Sequence, residues 1–290
     1  MKLSAVLIVK NEESCLERCL KTLKGFDEII ICDTGSEDNT IEIAKNYTDK
    51  VFNDYKWNDS FSEARNHALS KATGDWVLSI DADEELLDPA GGVKKIAQDA
   101  EDKGIKAVNV NQVSGTQSNF FPRLFKRCPG VKWCGSIHNY LSVSAGADSN
   151  LKIRYYYSDA HKKDPDRTLR ILKKEVAKGD RVRELYYLAR EYWYRHDYIT
   201  AIYWYDEYLA VSKWLPEKAD AYLMTAKCYW ALKKGETARN YCLQAISINA
   251  NFKEALLLMA EMSWEKNAIR WREFSEHADN KEVLFIRTNG

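Results

Sequence analysis

The sequence predicts an α/β domain with a mostly parallel, Rossmann-like sheet, followed by an all-α domain of helical repeats. In the first half, short apolar runs alternate with segments of helical periodicity, the order typical of parallel strands with helices on both faces. In the second half the pattern becomes helical and rich in aromatic residues, with small residues at repeated spacing. We place the first domain at residues 1–164 and the second at residues 165–290.

Apolar runs and helical periodicity define the elements of the first half. We expect strands at Leu3–Val9, Glu28–Cys32, Val51–Phe52 and Asp75–Ile80, and helices at Asn11–Lys24, from the turn at 33–40 to Tyr47, and at Phe61–Lys71. Farther along, the pattern predicts a helix near 93–101 and strands near 107–113, 120–125 and 151–157.

Small residues mark the repeats of the second half. Ala189, Ala226 and Ala260 are separated by 37 and 34 residues, a period that matches tetratricopeptide helix pairs. Seven helices are expected, at 166–178, 182–195, 198–212, 217–232, 235–248, 252–265 and 268–277. Exposed aromatic residues on such an array would line a groove that takes a peptide or protein or builds a homodimer; the candidates are Tyr186, Tyr187, Tyr194, Trp204 and Trp230.

Composition excludes several classes of protein. The 290 residues carry 43 basic and 43 acidic side chains, so no positive excess points to a long nucleic-acid track. The seven cysteines form no CxxC pair, which favours reduced thiols and a cytoplasmic protein. The sequence has no apolar run of the roughly 18 residues that a transmembrane helix needs.

An acidic triplet follows the fourth predicted strand. Side chains alternate along extended backbone, so we expect Asp81 and Asp83 to project from the same side. Two carboxylates can hold Mg²⁺ or Mn²⁺ and leave room for substrate phosphates. Val9, Asp33 and Asp81 all lie at the carboxyl ends of predicted parallel strands, where ligands of such sheets bind. The sequence therefore predicts that these three positions line one crevice.

Four motifs in this order resemble family 2 glycosyltransferases with the GT-A fold. They lie at Ser4–Glu13, Asp33–Thr40, Ala64–Leu69 and Gly74–Glu84. Further segments make the sequence similar to the branch that contains lipopolysaccharide-core glucosyltransferases and bacteriocin S-glycosyltransferases; they are Trp57–Asn66, Arg123–Lys126, Gly135–His138 and the helical tail.

The resemblance implies a nucleotide-sugar donor, most simply a UDP-hexose, across the strand ends. Asp33 would accept a hydrogen bond from the uracil ring. The backbone around Val9, with Asn11 and Glu12, would complete the base and ribose pocket.

The resemblance also implies a divalent cation, Mn²⁺ or Mg²⁺, at the donor diphosphate. Asp81 would approach the ribose or the metal, and Asp83 would ligate the metal. His161 would complete the metal site, although a surface histidine preceding the next helix is the alternative. Arg65 would add a cation near the diphosphate; as a helix-surface residue it would instead pair with Glu63 or a neighbour.

Two residues are candidates for the catalytic base, which an inverting displacement needs beside the acceptor atom. They are His138 and Asp159. Relatives commonly have Glu after this histidine, whereas this chain has Asn139, and an amide cannot take a proton at neutral pH. The segments around Arg123 and His138 would line the acceptor side.

Together these features predict a metal-dependent, inverting glycosyltransferase that moves a hexose from a UDP-sugar to an acceptor, which could be a peptide or protein. One alternative changes the acceptor to a saccharide, a lipid-linked glycan or a modified nucleic-acid base. Another alternative is a non-catalytic repeat scaffold with a vestigial sugar-nucleotide fold. The intact Asp33, Asp81 and Asp83 argue against the scaffold.

Overall fold

A computed structural model describes residues 1–115, 117–156, 164–179 and 182–278. The chain divides into two compact units, Met1–Arg167 and Thr168–Gly290. The predicted residues Asp159 and His161 lie outside the described residues. Among the described residues, no helix combines the length and the apolar character needed to cross a membrane.

The first unit is built on an eight-stranded sheet with helices on both faces. Its strands are β1 (Leu3–Val9), β2 (Glu28–Asp33), β3 (Val51–Phe52), β4 (Trp76–Ser79), β5 (Glu84–Leu86), β6 (Ala107–Ser114), β7 (Gln117–Lys126) and β10 (Ala147–Tyr155), and a separate hairpin pairs β8 (Trp133–Cys134) with β9 (Tyr140–Leu141). Its helices are α1 (Leu16–Thr22), α2 (Thr40–Lys45), α3 (Phe61–Lys71) and α4 (Ala90–Asp102).

The strand order β3-β2-β1-β4-β7-β6-β10-β5 confirms the predicted α/β class. The four strands that carry the predicted site, β3, β2, β1 and β4, are mutually parallel, so their carboxyl ends share one edge. The farther half is mixed: β7 is antiparallel to both β4 and β6, and β5 is antiparallel to β10. A tight hairpin joins β6 directly to β7, and such a connection makes the pair antiparallel.

The central strand β1 is buried on both faces. Leu3, Ala5 and Leu7 pack in one core with apolar residues of α1 and α4. Val6 packs in the other core with Ala68 of α3. This two-sided burial explains why β1 reads as a continuous apolar run rather than as alternation.

The described part of the second unit is helical, as predicted. Its helices are α5 (Arg167–Val176), α6 (Val182–Tyr194), α7 (Tyr198–Val211), α8 (Leu215–Ala231), α9 (Gly235–Ile248), α10 (Lys253–Glu261) and α11 (Glu265–His277). The repeated residues Ala189, Ala226 and Ala260 are all buried, so each lets neighbouring helices approach closely. Tyr186 is fully buried and therefore belongs to the core rather than to an exposed groove.

Candidate active site

The ends of β1 and β2 begin one half of the site. Val9 and Asp33 are partners in the parallel ladder, so the two loops that follow start side by side. Thr34 ties them together: its amide and its hydroxyl both donate to the Val9 carbonyl oxygen, at 3.0 and 3.1 Å.

Asp33 is buried, and the turn after it fixes its carboxylate. The amides of Gly35 and Ser36 donate to Oδ2 at 3.0 and 3.1 Å. Gly35 has φ +109°, a conformation that a side chain would strain, so glycine permits the turn. A carboxylate has about four acceptor positions, and Asp33 therefore retains capacity to accept a further bond from a ligand.

Asn11 and Glu12 bind the loop after β2 from the opposite side. The Asn11 amide donates to Ser36 Oγ at 2.9 Å, and Asn11 Oδ1 accepts from the Glu37 amide at 2.8 Å. The Glu12 amide donates to Thr40 Oγ1 at 2.8 Å. The structure thus brings together the four residues predicted for the base and ribose pocket; their contacts with a nucleotide stay a prediction.

A cavity of about 470 Å³ opens at the ends of β1, β2 and β3. Its size falls within the usual range for small-molecule sites. It is lined by Lys10, Asp33, Thr34, Gly35, Asn53, Asp54, Tyr55, Lys56 and Trp57. Tyr55 was not among the predicted site residues, although an aromatic residue three positions beyond the end of β3 was a usable signal. Its ring packs tilted against His67, with 5.3 Å between centroids.

The acidic triplet lies in a turn, not on extended backbone. β4 ends at Ser79, and the Glu84 amide donates to the Asp81 carbonyl oxygen at 3.1 Å, which closes a turn from Asp81 to Glu84. The expectation that strand alternation would direct Asp81 and Asp83 to the same side is therefore wrong, because a hydrogen-bonded turn takes the place of the strand at these residues.

Two arginines hold the Asp81 carboxylate. Arg65 Nη2 lies 2.6 Å from Oδ1, and Arg123 Nη2 lies 3.0 Å from Oδ2. Burial by itself raises the pKa of Asp81, but the positive charges of Arg65 and Arg123 outweigh it and bring the pKa well below its usual value. Asp81 is therefore an anion at any ordinary pH.

Glu84 belongs to the same ion cluster as Asp81 and Arg123. It was not among the predicted site residues. It is almost fully buried, and its Oε2 accepts from the Asp81 amide at 2.8 Å. Its Oε1 accepts from Arg123 at 3.2 Å and from Gln112. Burial raises the pKa of Glu84 to about 7, with Arg123 opposing and Asp81 adding to the rise. The available signal was its position directly after the triplet, at the start of a short strand.

Arg123, predicted in a segment that lines the acceptor side, belongs to the ion cluster around Asp81; its part in binding an acceptor stays a prediction. Its guanidinium lies between Asp81 and Glu84 with a side chain only 14% exposed. Antiparallel pairing of β7 with β4 sets Leu124 opposite Leu78 and so brings Arg123 to the strand end beside the turn. Arg65 likewise pairs with Asp81, and not in the alternative arrangement with Glu63.

Helix α3 also anchors the loop that carries His138. Arg65 Nη1 donates to Asn139 Oδ1 at 2.9 Å, and Asn66 exchanges two bonds with the backbone of Trp133, at 2.8 and 2.9 Å. His138 is exposed and has φ +50°. Its place beside an anchored residue puts the loop near the acidic turn, and its catalytic role stays a prediction.

The turn fits a cation that takes most of its ligands from a substrate. Among the described residues, no group of three or more His, Cys, Asp or Glu side chains is arranged to hold a metal. Mg²⁺ commonly binds through one or two carboxylates plus phosphates and water. Asp83, whose side chain is buried, stays a predicted ligand. The amide of Tyr156 donates to the Asp83 carbonyl oxygen at 2.9 Å, which joins the acidic turn to the residue that follows β10.

Comparison with known proteins places this α/β unit in a class. Residues 4–134 match the family model described as Glycosyl transferase family 2. The matched stretch contains all four motifs that carry the resemblance.

Three relatives are similar to parts of the chain. It is 33% identical over 138 residues to the SPbeta prophage-derived glycosyltransferase SunS of Bacillus subtilis, covering 46% of this chain and 33% of that protein. It is 47% identical over 87 residues to a TPR repeat-containing protein of Synechococcus elongatus, covering 30% of this chain and 21% of that protein. An uncharacterized glycosyltransferase of Rickettsia typhi is 41% identical over 90 residues, covering 29% of each chain. The chain thus spans a third or less of the length of these relatives.

Two solved structures are also similar. Glucosyl-3-phosphoglycerate synthase from Mycobacterium tuberculosis, with Mn²⁺ and UDP-glucose, is 25% identical and covers 39% of this chain and 44% of its own, at a TM-score of 0.33. S. aureus TarS 1-349 with UDP-GlcNAc is 13% identical and covers 99% and 93%, at a TM-score of 0.44. At these scores, the fold assignment rests on the strand order of the sheet and on the family model.

Proposed function

We propose that this protein is a glycosyltransferase that moves a hexose from a UDP-sugar to an acceptor, with inversion at the anomeric carbon. The observation that carries the proposal is the meeting of two features at one sheet edge of a family 2 domain. One is the loop pair around Asp33 with its cavity, and the other is the acidic turn at Asp81–Asp83.

The first feature suits a nucleoside. Asp33 is held in place by backbone amides, so it can accept a hydrogen bond from a pyrimidine ring N–H without reorganising. Asn11 and Glu12, which follow the Val9 end of β1, hydrogen-bond to the loop after β2. Together these residues would contact the base and ribose.

The second feature suits the diphosphate. Asp83 would hold a divalent cation, Mn²⁺ or Mg²⁺, whose charge would offset the negative charge that gathers on the departing nucleotide. Arg65 supplies a further positive charge at this edge. His161, if it joins the cation, would add an imidazole ligand.

Chemistry at the acceptor needs a base. In an inverting displacement the acceptor atom bonds to the anomeric carbon while the bond from that carbon to the diphosphate oxygen breaks. The acceptor proton passes to the base, for which His138 and Asp159 are the candidates. Asn139 donates through its amide and accepts from Arg65, which gives it a positioning part instead.

We further propose that the helical unit selects a peptide or protein acceptor. Tyr194 is 54% exposed and Trp230 is 36% exposed, and aromatic residues on a helical array are common peptide contacts. The alternative occupant of this surface is a second copy of the chain, which would form a homodimer. The remaining possibilities for the acceptor are a saccharide, a lipid-linked glycan or a modified nucleic-acid base.

The test begins with a panel of nucleotide sugars and measures release of the nucleoside diphosphate with and without Mn²⁺. Intact-mass analysis of candidate acceptors then detects the added hexose. We expect slow, Mn²⁺-dependent hydrolysis of a UDP-hexose and a mass increase of one hexose on the true acceptor. Absence of turnover with every donor, in protein that is folded and metal-loaded, would support the scaffold instead.

The role of the helical unit is tested separately with Tyr194→Ala and Trp230→Ala, each first shown to keep the parent melting temperature. We expect donor hydrolysis to persist and transfer to the acceptor to fall. If both variants transfer at the parent rate and keep the parent oligomeric state, the helical surface does not select the acceptor.

A further inference from the structure

We propose that residues 118–122 of β7 form an open strand edge on which an extended segment of a peptide acceptor adds as a further strand beside the acidic turn. The inference rests on the proposed function, from which it takes a peptide or protein as the acceptor. It deepens that function because it assigns the docking to backbone groups of one strand in the first unit.

Strand β7 extends past the end of its neighbour β4. It pairs with β6 as far as Gln117, but it pairs with β4 only from Leu124 to Lys126. Among the described residues, no strand pairs with residues 117–122 on the side of β4. Because β4 ends at Ser79, just before the acidic turn, the open part of the edge begins at that turn.

The hairpin geometry indicates which amides of this edge are open. Two residues separate the paired Ser114 and Gln117, and a loop of two residues is closed by a hydrogen-bonded pair. Hydrogen-bonded and non-hydrogen-bonded pairs then alternate along the ladder, so the amides of Ser118 and Phe120 point away from β6. Pro122 is next in this alternation, and proline, which has no amide hydrogen, is tolerated in a strand where that position faces an open edge.

This edge lacks the features that protect the other edges of the sheet. The outermost strands, β3 and β5, have only two and three residues, and short edge strands resist pairing with another chain. Charged side chains are another common protection, but residues 118–121 carry no charge and are exposed. An exposed, uncharged edge of this length favours main-chain pairing with a second polypeptide.

Two phenylalanines flank the edge on opposite faces of the sheet. Phe120 is 47% exposed and Phe121 is 41% exposed. Phe121 pairs with Val110, which packs in the core shared with α1 and α4, so alternation directs Phe120 to the face on which α3, β8 and β9 pack. The loop with His138 joins β8 to β9. An apolar side chain of a bound peptide would therefore contact Phe120 on the face of this candidate base.

The open edge also lies at a suitable distance from the acidic turn. Arg123 follows Pro122 in β7, and its Nη2 lies 3.0 Å from Asp81 Oδ2. Since a strand advances about 3.4 Å per residue, a peptide paired with residues 118–122 would extend from the turn to about 17 Å beyond it. An acceptor side chain at the near end of the paired segment would reach a donor sugar held at the turn.

The experiment uses short synthetic peptides, each with one central Ser, Thr, Cys or Asn, together with Mn²⁺ and the UDP-hexose that the parent protein hydrolyses. Intact-mass analysis identifies the peptides that gain a hexose. The backbone amides of the most rapidly modified peptide are then N-methylated one at a time. A strand added at an edge uses alternate amides, so we expect KM to rise at every second position and to stay near that of the unmethylated peptide at the positions between.

Ser118→Pro and Ser118→Val form a matched pair of protein variants. Both remove the hydrogen bond that Ser118 Oγ donates to Asn111 Oδ1 at 2.6 Å, but only proline removes the outward amide. We expect Ser118→Pro to raise KM for the peptide about threefold to tenfold, the effect of losing one hydrogen bond. The rate of donor hydrolysis should not change, and Ser118→Val should match the parent.

A second pair of variants applies if Ser118→Pro does not fold. Phe120→Lys places a charged side chain on the open edge, as natural proteins do to prevent strand pairing, and should raise KM for the peptide. Leu87→Lys changes another exposed apolar residue of the same unit, 40% exposed and just after β5, and should leave KM as in the parent. Equal KM values for these two variants would contradict docking at the edge.

The results separate this inference from the proposed function. An N-methylation profile without a period of two, equal KM values for Ser118→Pro and Ser118→Val, or a peptide set in which no member gains a hexose overturns the docking edge, while hydrolysis of the UDP-hexose leaves the donor chemistry standing. If Ser118→Pro converts a parent dimer to a monomer and leaves KM unchanged, the edge pairs with a second copy of the chain, which also overturns the inference. A parent protein that hydrolyses no nucleotide sugar contradicts the proposed function itself and the inference with it.

Discussion

The two ends of the candidate site are built from different interactions. At the nucleoside end, the loops after β1 and β2 are joined by hydrogen bonds between backbone amides and neighbouring side chains, such as those of Asn11 and Asp33. At the acidic turn, Asp81 is held by arginines 16 and 42 residues away in the chain. Both ends join segments that are distant in the chain, since Asn11 and Glu37 are 26 residues apart, but backbone amides hold the first end and ion pairs hold the second.

This difference has a functional consequence. Hydrogen bonds from backbone amides at the nucleoside end require no cation and should give a binding surface that exists before the donor arrives. Charged groups at the turn respond to a metal ion and to phosphates. We therefore expect substitutions at the turn to affect turnover and stability, and substitutions at the other end to affect nucleotide affinity.

The largest effect is expected for Asp83→Asn, which keeps the shape of the side chain and removes its charge. Mn²⁺- or Mg²⁺-dependent donor turnover should be abolished while the melting temperature stays near that of the parent. Donor hydrolysis measured with Mn²⁺ and with EDTA checks this. Activity that survives both the substitution and EDTA would show that the metal mechanism is wrong.

Removal of Arg123 should destabilise the first unit strongly. Arg123→Met leaves buried Glu84 and part of Asp81 without their cation, which costs about 3 kcal/mol of unfolding free energy. Lys126→Met, on the same strand, breaks an exposed pair with Glu101 and should cost less than about 1 kcal/mol. Urea unfolding of both variants measures the two losses of unfolding free energy. Equal losses would contradict the claim that the buried ion cluster stabilises the first unit more than the exposed pair does.

Asp33→Ala should weaken UDP binding at the nucleoside end. A ring donor that loses its acceptor costs about 1–3 kcal/mol, which corresponds to roughly 5- to 150-fold in dissociation constant. Glu37→Gln, an exposed carboxylate in the same turn, serves as the control and should bind UDP as the parent does. Unchanged affinity of Asp33→Ala in calorimetry would remove Asp33 from the pocket.

The effect expected for Glu84→Gln is on stability alone, and it depends on pH. Because burial raises the pKa of Glu84 to about 7, the folded protein holds a proton that the unfolded chain releases near its ordinary, lower pKa. The stabilisation by that proton is present below the unfolded pKa and is lost as pH rises through about 7.

The Gln variant has no such proton, so the parent should lose stability relative to it as pH rises from 5 to 8. The slope should approach about 1.4 kcal/mol per pH unit at its steepest. Urea unfolding of both proteins in EDTA across this range measures the difference. A difference that does not change with pH would show that Glu84 is ionised in the folded protein throughout.

The two ends of the site also differ in how far the sequence could predict them. The loops that carry Val9 and Asp33 could be placed together because parallel strands end at one edge, and apolar periodicity identifies those strands. Helix α3 was predicted at Phe61–Lys71 and has those bounds, and most helices of the second unit were expected within a few residues of their positions.

The cluster at the turn could not be predicted in the same way. Its members Glu84 and Arg123 meet because β7 runs antiparallel beside β4, and strand direction in a mixed sheet is a long-range property that local periodicity does not encode. The turn at Asp81 was missed because a hydrogen bond from Glu84 competes with the extended backbone that the preceding apolar run suggests.

Titration of the parent protein with uridine and with UDP, each in the absence and presence of Mn²⁺, tests most directly whether the two ends divide the donor as described. We expect Mn²⁺ to increase the affinity for UDP markedly and to leave the affinity for uridine unchanged, since only UDP carries phosphates to the turn. A uridine affinity that depends on Mn²⁺, or a UDP affinity that does not, would contradict a metal-independent nucleoside end and a metal-dependent acidic turn.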